Sequence, residues 1–77
     1  MQYNERIKEL RLKAKLTQTQ VAEVLEMKQQ QYQRWESGEN EIPIRGIIRL
    51  AEFFGVSTDY ILLGKLDSVP EYNEEIG

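Results

Sequence analysis

Between Thr17 and Glu36 the chain reads as two short helices crossing tightly, and this segment restricts what the rest of the molecule can be. Val21, Ala22 and Leu25 fall at i, i+1 and i+4 on one helical face, Tyr32 and Trp35 at i and i+3 on the next. Met27 sits in the turn facing the same core, and Ala22 is small where the two helices come closest. The second helix is led by a glutamine run and turns Gln29, Gln30 and Gln33 outward near its N-terminus. An amide side chain donates to and accepts from a single adenine edge in the major groove of DNA. Apolar inside and amide outside is what a groove-reading helix-turn-helix needs.

The bulk numbers narrow the classes further. Seventy-seven residues suffice for one domain, and at that size only about 60% of the unfolded chain's surface is buried, which suits a small helical bundle rather than a deep enzyme cleft. The chain has neither Cys nor His, so disulfides, thiolate nucleophiles, the usual zinc ligands and the commonest general base near neutral pH are missing. No catalytic residues, no metal and no cofactor are expected. Hydrophobic residues make up 40% of the chain, more than a disordered chain carries, yet no apolar run approaches the roughly 20 residues of a membrane span. The first residues alternate cations with glutamates and lack the apolar core of a signal peptide. A soluble, cytoplasmic protein with no membrane partner is the expectation.

A net charge of -3 looks wrong for a nucleic-acid binder until the chain is divided at Gly64. Up to that point nine Lys or Arg balance nine Asp or Glu; beyond it Lys65 stands against Asp67, Glu71, Glu74 and Glu75. The acidity belongs to the tail. A neutral body with cations gathered on one face still engages phosphate, with a small non-specific electrostatic contribution. The expected organisation is therefore a domain over residues 1–64 followed by an acidic segment, 65–77, that is either disordered or a short docking helix begun at Pro70 with Tyr72 and Ile76 at i, i+4.

Punctuation residues predict five helices, an all-α bundle. Asn4 reads as the N-cap of a first helix whose apolar face is Tyr3, Ile7, Leu10 and Ala14, with Arg11 on the same inward face. Leu16 closes the connection, and Thr17 with Gln20 forms the Thr-x-x-Gln capping box of the second helix. The third helix runs from about Lys28 to Ser37 and stops at Gly38. Pro43 fits the first turn of a fourth, with an inner stripe of Ile44, Ile47, Leu50, Ala51 and Phe54 ended by Gly55. Ser57 caps a fifth that carries Tyr60, Ile61 and Leu62 to Gly64. Arg6, Lys8, Lys13, Lys15 and Arg49 read as a solvated face, and Tyr32 and Trp35 as core.

The runs Arg6-Ile7-Lys8-Glu9-Leu10-Arg11, Leu16-Thr17-Gln18, Val21-Ala22, Arg34-Trp35-Glu36-Ser37-Gly38, Leu50 to Ser57 and Asp59-Tyr60-Ile61-Leu62 occur in an order and spacing that resembles the phage repressor and Cro family, the XRE type of helix-turn-helix protein. The resemblance covers residues 4 to 64. It implies a lambda-repressor-like five-helix domain in which Gln18 sits on a phosphate and braces the recognition helix, and Gln29, Gln30 and Gln33 face base edges. Asn40 and Arg45 would approach the backbone beside the groove. It also pairs Arg11 with Glu36 as a partly buried ion pair between the first and third helices, and puts Ile48, Thr58 and Tyr60 near the dimer contact of phage repressors. Ile48 and Tyr60 could equally complete the core of a monomer.

Two residues depart from that family. Glu26 stands in the turn where the family has Gly, predicting a strained or altered turn at a cost of about 1 kcal/mol. Lys28 stands where Ser or Thr would cap the recognition helix, and is expected to serve as a phosphate contact instead. The function expected is a sequence-specific transcriptional regulator, a repressor that binds double-stranded DNA as a homodimer on a two-fold symmetric operator and performs no chemistry. The alternative is a protein-interaction module on the same fold, an antitoxin or anti-repressor whose acidic tail holds a protein partner.

Overall fold

The computed structural model describes residues 2–64; the acidic segment 65–77 and Met1 lie outside the described residues. Five helices follow one another: α1 (Tyr3–Lys13), α2 (Gln18–Val24), α3 (Gln29–Ser37), α4 (Ile44–Phe54) and α5 (Thr58–Leu63). Among the described residues there is no strand. α2 packs on α3, α1 lies between α3 and α5, and α4 closes against α1 and α5. Their inner faces meet in one core built on Ile7, Val21, Ala22, Leu25, Tyr32, Trp35, Ile42, Ile47, Leu50, Ala51 and Ile61.

Local chemistry explains where helices begin. The Thr17 hydroxyl accepts from the Gln20 backbone N–H at 3.1 Å while the Thr17 N–H donates to the Gln20 amide oxygen at 2.8 Å, so two N–H groups that the helix leaves orphaned are satisfied reciprocally. Ser57 starts α5 similarly, accepting from the Tyr60 N–H at 3.0 Å. α1 differs from the expectation. Its N-cap position is Gln2, whose N–H donates to Glu5 at 2.8 Å. Asn4 lies inside the first turn, and its amide donates to the Glu36 carbonyl at 3.0 Å, a helix-end acceptor that would otherwise lack a partner. Tyr3 is anchored by its hydroxyl, which accepts from the Ile42 N–H at 3.1 Å.

Two positions expected on inner stripes are outside. Ala14 is exposed because α1 has already ended at Lys13. Ile44 is 63% exposed, and Pro43 is the N-cap rather than a first-turn residue. The reason lies at Gly46: a Cβ there would stand 2.7 Å from the Trp35 ring and 2.9 Å from Ile42, so α4 presents its Gly46 face to α3. Ile44 lies about 200° round the helix from that face.

Helix ends use left-handed residues. Gly55 takes φ 71° and lets the Val56 N–H reach back to the Ala51 carbonyl at 3.0 Å. The same closure ends α1 and α2 without glycine: Lys15 has φ 60° with Leu16 N–H on the Arg11 carbonyl, and Glu26 has φ 58° with Met27 N–H on the Ala22 carbonyl. The turn of the helix-turn-helix thus keeps its geometry and carries the strain of a side chain in the left-handed region. Glu26→Gly is expected to stabilise the domain by about 1 kcal/mol, raising Tm by about 4–8 °C for a domain of this size. Thermal melts of the two proteins check it; an unchanged or lower Tm would mean that the Glu26 side chain compensates its own backbone cost.

Candidate nucleic-acid interface

The candidate site is built outward from a carboxylate in the core. Glu36 lies on the inner face of α3 and Arg11 on that of α1, both buried, and Arg11 grips Glu36 through two nitrogens: Nε to Oε2 at 2.6 Å and Nη2 to Oε1 at 3.1 Å. The third nitrogen of the guanidinium donates to the Leu16 carbonyl at 2.9 Å, so one side chain joins α1, α3 and the α1–α2 connection. Tyr32 adds its hydroxyl to Oε2 at 2.6 Å. Burial alone would push the Glu36 carboxyl up. The hydrogen bonds from Arg11, Tyr32 and Gln18, with the Arg11 charge, outweigh it and hold the group below its usual range. The Arg11 guanidinium is raised, first by its bond to Glu36. The Tyr32 phenol is raised above its ordinary value by burial and by the same carboxylate.

From this cluster a chain of hydrogen bonds runs to the surface. Gln18, the first residue of α2, donates through Nε2 to Glu36 Oε1 at 3.1 Å. Its Oε1 accepts from Gln29 Nε2, at the first residue of α3, at 3.0 Å. Gln29 is consequently half-buried and braced, whereas Gln30 and Gln33 stand exposed on the same helix. Gln33, Gln18 and Glu36 line a cleft of about 190 Å³ that Lys8 and Ser37 complete. Lys8, exposed as expected, borders this amide face.

The remaining candidates spread around α3. Lys28 takes the N-cap position with extended backbone and no side-chain capping bond, leaving its ammonium exposed beside the start of α3. Asn40 is exposed in the loop after α3, held by its N–H on the Arg34 carbonyl at 3.1 Å. Arg45 is exposed in the first turn of α4. It borders an apolar groove of about 510 Å³ over Trp35 and Gly46, together with Ile48, which is 43% exposed. Thr58 and Tyr60 are half-buried on α5, with Tyr60 packed against the core.

Two arginines read as solvated have other work. Arg6 donates to the Ile61 and Leu62 carbonyls at 2.7 and 3.2 Å, and Arg49 to those of Leu25 and Val24 at 3.0 and 3.3 Å. Each places a cation on the exposed carbonyls at a helix C-terminus, which periodicity along a single helix does not reveal. Among the described residues no group of three or more His, Cys, Asp or Glu side chains could hold a metal ion, and no helix is long and apolar enough to cross a membrane.

Comparison with known proteins decides the family. The model of the family described as Helix-turn-helix matches residues 7–61, from α1 into α5. This chain belongs to the helix-turn-helix family. Within it, the chain is 34% identical over 65 residues to the HTH-type transcriptional activator BcrR of Enterococcus faecalis, covering 84% of this chain and 32% of that relative's length. The P22 c2 repressor protein, solved in complex with synthetic operator 9T, superposes with a TM-score of 0.78 at 26% identity, over 84% of this chain and 98% of that one. A transcriptional regulator from Listeria innocua superposes with a TM-score of 0.76 at 27% identity, over 97% of this chain and 72% of that one. The XRE-type arrangement of this helix-turn-helix chain is thus shared by its solved relatives.

The Glu36 cluster makes the domain's stability depend on pH in a defined direction. Because the folded carboxyl is depressed, its contribution is present above about pH 4.3, the unfolded glutamate value, and is lost as pH falls through the folded value. Glu36→Gln, which leaves the Arg11 charge buried without its counter-ion, should cost on the order of 3 kcal/mol at pH 7. Urea unfolding at pH 7 and again at about pH 3.5 should show that difference narrowing. An equal difference at both would mean that the carboxylate charge contributes nothing.

Proposed function

We propose that this chain is a DNA-binding transcriptional regulator, a repressor that places α3 in the major groove of a two-fold symmetric operator as a homodimer and acts by occupancy. The observation that carries this is the amide face at the start of α3, where Gln29 is held by Gln18 while Gln30 and Gln33 stand exposed beside it. Gln29, Gln30 and Gln33 read base edges. Gln18, Lys28, Asn40 and Arg45 position the domain on the phosphates around them. The P22 c2 repressor, whose chain is matched over 98% of its length and which is solved in complex with a synthetic operator, supports operator binding and repression.

The homodimer brings two copies of α3 to successive major grooves, about 34 Å apart along the duplex, which is why the operator is two-fold. Ile48, Thr58 and Tyr60 form the contact. Exposure of Ile48 supports its part in this. Residues 1–64 are the DNA-binding unit and 65–77 an acidic appendage to it.

Alanine at Gln29 or Gln30 should weaken binding to a selected operator by about 1–3 kcal/mol each and leave binding to scrambled duplex almost intact. Alanine at Lys28 or Arg45 should weaken both duplexes alike and reduce the salt slope by about 1. Equilibrium titrations with duplexes selected from a random pool, at several salt concentrations, measure both quantities. Equal losses on matched and scrambled DNA for the glutamine variants would remove those residues from base reading.

A further inference from the structure

We propose that Glu36, a residue of the core, is a positioning residue for base recognition: its carboxylate sets which way round the amides of Gln18 and Gln29 sit, and so which base Gln29 accepts. This rests on α3 being the groove helix. The chain of bonds has a direction. Glu36 receives two donors at each oxygen, Arg11 and Tyr32 at Oε2, Arg11 and Gln18 at Oε1. An ionised carboxylate has no hydrogen to give, so only the NH₂ end of Gln18 can face it. That end is at 3.1 Å, which turns the Gln18 carbonyl toward Gln29. A carbonyl in turn accepts only N–H, and Gln29 supplies its Nε2 at 3.0 Å. Gln29 then retains one N–H and its carbonyl oxygen for a ligand.

One donor beside one acceptor is complementary to adenine, which presents N7 as acceptor and N6–H as donor in the major groove. Guanine presents two acceptors there, O6 and N7, and would be served by the opposite amide orientation, with both N–H groups outward. Rotating Gln18 to allow that would aim its carbonyl at a carboxylate. The preference for adenine over guanine opposite Gln29 is therefore set two residues away, inside the protein. The second N–H of Gln18 stays available for a phosphate.

The test uses the full chain and its DNA-binding profile, measured as affinity for duplexes varied one base pair at a time around a sequence selected from a random pool. Gln29→Ala identifies the base pair that Gln29 reads. Gln18→Met cuts the chain of bonds without touching the ion pair, and at that base pair it should lower the adenine-over-guanine preference by about 5-fold or more, while any phosphate loss weakens all duplexes equally. Glu36→Gln offers Gln18 an NH₂ in place of an oxygen, and in a folded variant should move the preference at that same base pair toward guanine. In the free proteins, the Gln29 side-chain NH₂ resonances should lose their distinct hydrogen-bonded shift in Gln18→Met.

A Gln18→Met protein that melts cooperatively, yet keeps the wild-type base profile with only a uniform loss, overturns the proposal. So does erosion spread evenly over all positions. If Gln29→Ala flattens no base pair at all, it is the placement of α3 in the groove that fails. Should Glu36→Gln not fold, the Gln18→Met profile decides alone.

Discussion

Arg11 and Glu36 are two charges taken out of water, and withdrawing them is costly unless nearly every donor and acceptor finds a partner. Here the conditions are met by contributions from several elements: the guanidinium spans Glu36 and the Leu16 carbonyl, and the carboxylate also takes Tyr32 and Gln18. Satisfying the pair therefore dictates the distance between α1 and α3, the path of the α1–α2 connection and the rotamer of a core tyrosine. An apolar pair of similar volume would often match it in stability. It would not orient an amide. Hydrophobic contact is indifferent to direction, whereas a carboxylate separates the two ends of a glutamine side chain, and that is the property the amide face of α3 inherits.

A second constraint comes from helix ends. With helices of 6 to 11 residues, a large share of the backbone lies within a turn of a terminus, where carbonyls and N–H groups have no partner inside the helix. Side chains from other elements take up much of that deficit. Asn4 of α1 serves α3, Arg6 of α1 serves α5, and Arg49 of α4 serves α2. Each such bond also fixes how two helices sit relative to one another. The bundle is held as much by these polar ties at its rim as by the apolar centre, which suits a domain too small to bury a large core.

Much of this was legible in the residues themselves. The apolar spacing of Val21, Ala22, Leu25, Tyr32 and Trp35, and the Thr17–Gln20 box, are local patterns, and the structure follows them. So does Glu26 at positive φ, because the turn's geometry leaves that position no other conformation. What escaped depends on tertiary partners. Nothing near Arg6 or Arg49 in the chain indicates that each will meet the end of a helix 55 or 24 residues away. Asn4 has the side chain of an N-cap but is drawn instead to a carbonyl of α3. The need for glycine at position 46 comes from the Trp35 ring packed against it, a neighbour 11 residues away in the chain. The resemblance implies that Gln18 braces the recognition helix, but that its partner is the Gln29 amide follows only from the two helix starts lying side by side.

The charge balance bears on how such a domain would find its site. Non-specific affinity grows with the number of phosphates neutralised and falls steeply with salt. Of the nine cations up to Gly64, Arg11 is enclosed and Arg6 and Arg49 are committed to carbonyls. The six that remain to neutralise phosphate are opposed by eight carboxylates besides Glu36. On the proposed reading, a larger share of the binding energy must come from amide contacts with bases, whose strength depends on geometry and is less sensitive to salt than phosphate contact. A rigid, directionally fixed Gln29 matters more under those conditions than it would on a strongly basic protein, where counter-ion release alone could hold a loosely ordered recognition helix on DNA.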